Sequence, residues 1–288
     1  MALISNILFP VNFSPSCVGM AAFVKRAAIL LGARVSLVHV VDLASHNAFE
    51  LYVRSTPEIL EEHSLIGQAK LDLFLAADFP PAECPRILLV GDPATEIARV
   101  AREDGFDMIM MPTHAGTFRR MLLGSTTAKV LDDADCPVIT SQHAETIAPR
   151  PLQHREWLCA IGLRENSERV LRFAAEIAAQ ARGNLSIIHA VQAGGAKVPV
   201  DLDLEGRVQN AERDEASRRI AELQRIVGSD APVHIAAGQV KEALLEAERR
   251  FDADLLVIGR SPRSGALGRL RDLTYAMIRD SPFPVISV

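Results

Sequence analysis

The chain has 288 residues, enough for one large domain or two of ordinary size, and 49% of them are hydrophobic. A net charge of −5 and an aromatic content of 5% argue against a nucleic-acid-binding protein and favour an aliphatic α/β core. Four cysteines without a CxxC spacing indicate reduced core thiols. The N-terminus lacks a basic leader, and no apolar run approaches the ~18 residues of a membrane span, so we expect a cytoplasmic protein without membrane association.

The first half alternates short apolar strands with amphipathic helices. Ile7–Val11 predicts a buried strand, and the turn after it places Ser14 at a helix N-cap with Pro15 at the first helical position. That helix has apolar residues at helical spacing over Val18–Leu31, and further helices are predicted over Pro57–Ala77 and from GDPATE to about Asp104. Further strands are predicted over Val35–Val41, Arg86–Val90, FDMIMM and CPVIT. Five strands alternating with four helices predict a parallel sheet covered by helices on both faces.

The stretch Phe106–Ser141 has the pattern of an anion site. A buried strand ends at Pro112, a loop of small and polar residues follows, and Gly124-Ser125-Thr126 opens a helix. Because the first N–H groups of a helix have no partner inside it, such a loop and helix start are suited to hold a phosphate. Arg119-Arg120 in the loop would either clamp that phosphate or form a solvated pair.

The second half repeats the first. Residues 142–155 contain two prolines and read as a linker between a domain at 1–141 and a domain at 156–288. Without gaps, a shift of 150 aligns Ile7–Val41 with Trp157–Val191, and a shift of 147 aligns the ends of the two halves. Identities under these shifts include the pairs Leu8/Leu158, Phe23/Phe173, His39/His189, Asp107/Asp254 and Pro137/Pro284. The sequence therefore predicts two copies of one α/β domain.

These segments resemble a known family. ILFPVNFSP, SLVHVVD, LLGSTTAKVLDDADCPVIT and RDSPFPVISV are similar to the corresponding parts of universal stress protein (UspA family) domains, and the whole chain resembles the tandem form. The resemblance implies two Rossmann-like domains of the adenine nucleotide alpha hydrolase type, each a five-stranded parallel sheet with helices on both faces. It also implies a stress-response function.

The resemblance also implies where ATP would bind in the first domain. The nucleotide-binding branch has an Asp after the first strand for adenine, a backbone contact after the second strand for ribose, and a G-x2-G-x9-G-[ST] loop for phosphates. The matching positions here are Asn12, Val40, Pro112, Ala115, Gly124 and Ser125, with Thr126 adding a hydroxyl. Asn12 loses the carboxylate, and Pro112 and Ala115 replace the two glycines that let a backbone approach phosphate closely. We therefore expect weak adenine-nucleotide binding in domain 1 at most.

The second domain departs further from the nucleotide-binding pattern. Gly162 replaces the Asp, Gly259 keeps the first glycine, and Pro262 replaces the second. The shift of 147 places Arg271-Asp272 opposite Gly124-Ser125, and a carboxylate there would repel phosphate. We expect no nucleotide in domain 2.

No sequence motif indicates a catalytic centre or a metal site. There is no nucleophile elbow, no P-loop and no HxH or HExxH spacing, and His39 and His189 are interpreted as core residues with satisfied hydrogen bonds. The interpretation that we favour is a stress protein that is not an enzyme. The alternative is an ATP-binding switch with slow hydrolysis, and an unrelated α/β enzyme fits less well because an SGGxDS-like loop is missing.

The final strands indicate how the domains associate. Residues 138–141 and 285–288 resemble the edge strand through which this family dimerises, and an exposed apolar edge favours pairing. We therefore expect a pseudo-dimer within one chain, and a further homodimer of the tandem chain stays open.

Overall fold

A computed structural model describes residues 2–42, 56–113, 123–141, 155–191, 202–260 and 268–288, with only the backbone given for Thr56, 202–209 and 268–272. The chain divides into two compact units, Met1–Pro151 and Leu152–Val288. Residues 142–154 of the predicted linker, Ala115 and Arg119-Arg120 of the first loop, and Pro262 of the second loop lie outside the described residues.

Unit 1 is a five-stranded parallel sheet in the order β3-β2-β1-β4-β5. Its strands are β1 Asn6–Pro10, β2 Arg34–Val41, β3 Arg86–Val90, β4 Met108–Pro112 and β5 Val138–Ser141. Its helices within the described residues are α1 Pro15–Leu31, α2 Thr56–Leu73, α3 Pro93–Glu103 and α4 Ser125–Asp133. Because parallel crossovers are right-handed, α1 and α2 cover one face of the sheet while α3 and α4 cover the other.

Unit 2 has the same topology, with strand order β8-β7-β6-β9-β10. Its strands are β6 Glu156–Ala160, β7 Asn184–Val191, β8 Val233–Ala237, β9 Leu255–Ile258 and β10 Val285–Ser287. Its helices within the described residues are α5 Ser167–Gln180, α6 Leu202–Val227, α7 Val240–Arg250 and α8 Gly268–Asp280. The predicted alternation of strands and helices, and its repetition, are confirmed.

Matched contacts explain several identities between the halves. The Asp107 carboxylate accepts hydrogen bonds from the backbone N–H groups of Ser5 and Asn6 at 2.8 and 2.9 Å. Asp254 accepts in the same way from the N–H of Arg155. In each unit this aspartate joins the start of the first strand to the start of the fourth strand. The repeated aspartate is therefore part of the sheet, distant from the carboxyl edge where ligands of such folds bind.

The predicted helix boundaries agree with the structure at the start of α1 and differ from it at the end of α2. Helix α1 begins at Pro15 with Ser14 as its N-cap by backbone conformation, as the sequence predicts. The Ser14 hydroxyl makes no capping hydrogen bond and lies 3.7 Å from the Cys17 sulfur instead. Helix α2 ends at Leu73, four residues before the predicted end, since Leu75 adopts a left-handed conformation with φ 54°.

Candidate nucleotide-binding site

The order in which successive strands are added to the sheet of unit 1 reverses between β1 and β4, and we call the region beyond the carboxyl ends of these two strands the crevice. The two strands are parallel and pair in the register Ile7 with Met108 and Leu8 with Ile109. Ligands of open α/β sheets bind beyond the carboxyl ends of the strands at such a reversal. Continuing the register brings the residues after β1 and the residues after β4 to one edge. The predicted positions Asn12 and Pro112 therefore border the same crevice.

Asn12 is exposed at this edge with its carbonyl end already bonded. The Asn12 Oδ1 atom accepts hydrogen bonds from the Ser14 backbone N–H and from the Cys17 thiol, each at 3.2 Å. Since both partners donate, the amide nitrogen is the end of the side chain left to meet a ligand. Asn12 thus offers a donor at the position where the family pattern has an accepting carboxylate.

The turn around Asn12 is held by packing on the α2 face of the sheet. Phe13 adopts a left-handed conformation with φ 62°, and its ring lies 4.3 Å from the His39 ring and 5.3 Å from the Phe74 ring. His39 Nδ1 lies 2.9 Å from the carbonyl oxygen of Val11, so this nitrogen carries the hydrogen. Burial lowers the pKa of His39, which keeps the ring neutral. The interpretation of His39 as a residue with a satisfied hydrogen bond agrees with this contact, although the ring is only half-buried.

Cys17, beneath the same turn, is a buried thiol. Burial raises the pKa of the Cys17 thiol. Hydrogen bonds with Asn12 and Ser14 lower the pKa by a smaller amount. A buried thiol with a raised pKa is a poor nucleophile. Cys17 therefore has a packing role beside Asn12.

Val40 lies near the carboxyl end of β2, the strand next to β1 in the sheet. Strand β1 pairs with β2 only as far as Pro10 and Val38, whereas Val40 pairs on its other side with Leu89 of β3. Val40 therefore extends past the end of β1 into the crevice region, while its side chain is buried. A backbone contact to a ligand, as the resemblance implies, is compatible with this place.

A backbone hydrogen bond between Gly124 and Thr113 holds the two ends of the predicted phosphate loop together, and we call this closed base of the loop the neck. The Gly124 N–H donates to the carbonyl oxygen of Thr113 at 2.9 Å, and the Thr113 N–H donates to Ser141 of β5 at 3.1 Å. Pro112, the last residue of β4, pairs with the same Ser141. The Gly124 amide is therefore used to close the loop, although the sequence suggested it as a phosphate ligand.

Helix α4 begins directly after this neck. Gly124 is its N-cap residue by backbone conformation, and no described side chain caps it. Ser125 and Thr126 occupy the first two helical positions, whose N–H groups have no acceptor within the helix. Ser125 is exposed and Thr126 is half-buried. These two amides and the Ser125 hydroxyl are the polar groups that the structure places at the start of α4.

Thr127 is a positioning residue that sequence reasoning missed. Its hydroxyl donates to the carbonyl oxygen of Pro112 at 3.2 Å, while the Thr126 hydroxyl was the one expected to matter. In unit 2 the Thr274 hydroxyl donates to the carbonyl oxygen of Gly259 at the same distance. Thr127 and Thr274 are related by the shift of 147, so this identity was a signal available in the sequence.

In unit 2 the corresponding glycine is packed against a side chain. A Cβ atom added to Gly259 would lie 2.7 Å from Asn166 Nδ2 and 3.0 Å from Val170 Cγ2. Asn166 Nδ2 also donates to the carbonyl oxygen of Arg260 at 3.0 Å. Gly259 is thus required by the close approach of Asn166 rather than by a phosphate.

Helix α8 begins one turn earlier than its counterpart α4. It begins at Gly268, so Arg271 and Asp272, which the shift of 147 places opposite Gly124 and Ser125, lie inside the helix and not at its start. The shift still matches the rest of the helix, since Thr127 and Thr274 make equivalent hydrogen bonds.

A pocket that the sequence analysis did not identify opens at the end of β7 in unit 2. Its volume is about 520 Å³, and it is lined by Leu163, His189, Ala190, Val191, Ala211, Glu212, Glu215, Ala216 and Arg219. His189 Nδ1 lies 2.7 Å from the carbonyl oxygen of Ile161, and Arg219 donates to that of Leu163 at 2.7 Å. Leu163 occupies the place of Phe13 and shares its left-handed conformation, with φ 52°. The smaller side chain leaves space that the Phe13 ring fills in unit 1.

Asp92, an acidic residue that contacts α4, has a structural role. Asp92 caps helix α3 by accepting hydrogen bonds from the Thr95 N–H at 3.0 Å and the Thr95 hydroxyl at 2.8 Å, and it pairs with Lys129 of α4 at 3.2 Å. The hydrogen bonds from Thr95, with a smaller effect of Lys129, lower the pKa of Asp92. Across the described part of the chain, no three His, Cys, Asp or Glu side chains cluster as a metal site requires.

Comparison with known proteins identifies the family. The model of the universal stress protein family matches residues 4–141 and again residues 155–288. The chain belongs to the universal stress protein family. The double match agrees with the repeated topology of the two units and confirms the tandem arrangement.

Two curated relatives each match about half of the chain. Universal stress protein A homolog 1 of Coxiella burnetii is 25% identical over 144 residues, covering 48% of this chain and 97% of that protein. A universal stress protein of Methanocaldococcus jannaschii is 28% identical over 149 residues, covering 46% of this chain and 92% of that protein.

A solved universal stress protein from Archaeoglobus fulgidus has the same fold over the whole chain. It superposes with a TM-score of 0.69 at 22% identity, covering 99% of this chain and 97% of that one. No described helix of the present protein is both long and apolar enough to cross a bilayer.

Proposed function

We propose that this tandem universal stress protein is a cytoplasmic stress-response factor that binds an adenine nucleotide weakly in its first unit. The observation that carries the proposal is the start of α4 at the crevice between β1 and β4. Ser125 and Thr126 present helix N-terminal amides there, and a helix N-terminus favours a phosphate. Asn12 and Val40 border the same crevice, in the places where the family pattern holds adenine and ribose.

The same geometry accounts for weak binding. Pro112 has no N–H to offer, and the Gly124 N–H is bonded to Thr113. Asn12 presents a donor where the amino group of adenine needs an acceptor. A nucleotide would therefore be held mainly by the α4 helix start.

In the second unit we propose that no nucleotide binds. The contact of Asn166 with Gly259 and Arg260 supports this, because the Asn166 amide occupies the approach to the strand end. The helix start lies a turn earlier, at Gly268. If unit 2 has a ligand, the pocket beside His189 is the place to look for it.

Titration calorimetry of the full chain with ATP–Mg²⁺ tests the proposal. We expect one site per chain, lost in Ser125→Asp because a carboxylate at the helix start repels phosphate. Ile29→Asp is the matched control, since Ile29 is 64% exposed near the opposite end of α1. Absence of heat in the wild type, or retained affinity in Ser125→Asp, would refute this site.

Phosphate release measured on the same samples separates the two interpretations of the site. We expect no turnover, because Asp92 already caps α3 and pairs with Lys129. Sustained release that disappears in Ser125→Asp would instead support the ATP-binding switch.

We also propose that β5 and β10 associate the two units as a pseudo-dimer. Within its own unit each strand ends the order, pairing with β4 or with β9. Proteolytic nicking of the full chain within residues 142–155, followed by size-exclusion chromatography, tests this association. We expect the two fragments to elute together, and their separation under native conditions would contradict the proposal.

A further inference from the structure

A buried carboxyl group joins helix α7 to the end of helix α8 in unit 2. Glu248 of α7 is fully buried, and its Oε1 atom lies 2.9 Å from the hydroxyl oxygen of Ser281. Its other oxygen, Oε2, is buried and has no hydrogen-bond partner among the described residues. Ser281 follows the last residue of α8 and is itself fully buried. Such a pair is unusual, because buried carboxyl groups generally require several donors.

The Ser281 hydroxyl has one proton and two possible acceptors. The Phe283 N–H donates to the hydroxyl oxygen at 3.1 Å, while Glu248 Oε1 at 2.9 Å and the Phe283 carbonyl oxygen at 2.8 Å can each accept the hydroxyl proton. A neutral Glu248 satisfies both contacts, because the carboxylic acid supplies a second proton. An ionised Glu248 leaves one proton for two acceptors.

Ionisation of Glu248 would disturb this arrangement at two points. The single Ser281 proton would serve either the carboxylate or the Phe283 carbonyl, so one of these two hydrogen bonds would be lost. The Oε2 atom would become a buried charged oxygen without a donor, a costly state in an apolar interior. Burial accordingly raises the pKa of Glu248 to about 7, an effect that the Ser281 hydrogen bond and Arg249 offset only partly.

Several charged groups near these elements are paired with other residues. Lys241 lies two turns earlier on α7 and pairs with Asp280, which also binds Arg279. On β7, which packs against α7, His189 bonds to Ile161. Among the described charged groups, Arg249 is the one that acts on Glu248, and it lies on the exposed side of α7.

Unit 1 has no counterpart of this pair. The shift of 147 places Ala101 opposite Glu248 and Ala134 opposite Ser281, and both alanines are buried. The backbone is the same in both places, because the Ala134 and Ser281 N–H groups each donate at 2.8 Å to the residue four positions earlier. The contact at this place is therefore apolar in unit 1, whereas in unit 2 it contains the titratable carboxyl group of Glu248.

We propose that Glu248 and Ser281 form a pH-sensitive latch between α7 and the turn into β10, closed while Glu248 is protonated and weakened when it ionises. The latch acts on Ser281–Phe283, the segment that leads into β10, the last strand of unit 2. A rise in pH through neutrality therefore destabilises unit 2, while unit 1 lacks this response.

The sign of the effect follows from the two states of the chain. Unfolded Glu248 ionises near its ordinary pKa, about 4.3, while the folded protein keeps its proton until about pH 7. The stabilisation is complete below the unfolded pKa and is lost as the pH rises to the folded pKa. Between pH 5 and 8 the unfolding equilibrium constant of unit 2 should rise by roughly one to two orders of magnitude from this group alone.

Fluorescence of Trp157 measures unit 2 within the full chain, because it is the single tryptophan and is buried in β6. Urea unfolding at pH 5, 6, 7 and 8 gives the unfolding constant at each pH. Glu248→Gln, which cannot ionise, should lose this rise in the unfolding constant. Glu246→Gln removes an exposed carboxylate from the same helix and should keep the full rise.

A second variant covers the case in which Glu248→Gln does not fold. The double variant Glu248→Ala/Ser281→Ala copies the pair of unit 1 and should also lose the rise in the unfolding constant. If a folded variant without Glu248 follows the wild-type pH dependence from pH 5 to 8, the latch does not exist.

Discussion

The Thr127 hydroxyl donates to the carbonyl oxygen of Pro112 at 3.2 Å and so holds the start of α4 against the end of β4. The residues are 15 positions apart, and the loop between them leaves and returns at the Thr113–Gly124 hydrogen bond. Both the orientation of the helix start and the width of the loop neck depend on these two contacts. The candidate phosphate site is thus positioned by a buried threonine that does not face it.

Thr127→Val should destabilise unit 1 by about 1–3 kcal/mol, because the substitution keeps the shape and leaves the buried Pro112 carbonyl without its donor. Thr274→Val is the matched variant in unit 2, where the acceptor is Gly259. Urea unfolding followed by circular dichroism reports both units, and Trp157 fluorescence reports unit 2. Unchanged stability in both variants would contradict the positioning role.

Arg182→Gly should stabilise unit 2 by about 0.5–1 kcal/mol, since glycine adopts a left-handed conformation without the steric cost of a side chain. Exposed Arg182 has φ 53° at the end of α5, and Gly32 has φ 63° at the equivalent end of α1. The midpoint of the Trp157 transition measures the gain. Gly32→Ala is the converse variant and should destabilise unit 1 by a similar amount, whereas a neutral result for both would show that neither backbone is strained.

Asn12→Asp should tighten ATP binding by roughly tenfold, because a carboxylate accepts a charge-assisted hydrogen bond from the amino group of adenine. The aspartate can still accept from the Ser14 N–H and the Cys17 thiol, so the turn is preserved. Calorimetry with ATP–Mg²⁺ measures the change. GTP–Mg²⁺ is the matched ligand control, since guanine has an oxo group in place of that amine, and an equal gain with GTP would place Asn12 away from the base.

Asp280→Asn should destabilise unit 2 by about 1 kcal/mol at pH 6, a figure reduced for the partial exposure of the site. Hydrogen bonds from Arg279, and then from Lys241, lower the pKa of Asp280 to about 2. A lowered carboxyl pKa gives stability that is present above the unfolded pKa near 4 and is lost as the pH falls toward 2. The stability difference from wild type, read by Trp157 fluorescence, should therefore shrink between pH 4 and pH 2.5.

The exposed Asp230 offers a matched control for that measurement. Asp230→Asn should leave the stability of unit 2 within about 0.5 kcal/mol of wild type over the same pH range. If Asp280→Asn behaves like this control at pH 6, the ion pairs at the end of α8 add nothing to folding.

Much of the fold was predictable because its signals are local. Apolar runs such as Ile7–Val11 and Met108–Pro112 have the length and composition of buried parallel strands, and Gly32 has the conformation of a helix end. The repeat was visible because Asp107 and Asp254 perform the same task in each unit. The end of α2 was predicted too late, since the left-handed Leu75 carries no glycine signal.

The candidate site was predicted less completely, because its side chains meet through the tertiary structure. Gly259 was interpreted as a remnant of a phosphate loop, while Asn166, 93 positions earlier, is what packs against it. The sequence analysis assigned a role to the hydroxyl of Thr126 and not to that of Thr127, because the sequence GSTT alone does not show which of the two side chains faces β4. Ala115 lies outside the described residues, so its predicted place in the loop stays a prediction.

The sequence by itself determined the tandem α/β architecture, the family, and the helix start at Gly124-Ser125, since each depends on periodicity or on a contiguous motif. Only the tertiary structure decided which groups remain available to a ligand and which are used internally. The Gly124 N–H closes a loop, and Asn166 packs against Gly259. Glu248 contacts Ser281, which lies 33 positions away in the sequence. These outcomes depend on strand order and helix crossing, which bring together residues that no local pattern relates.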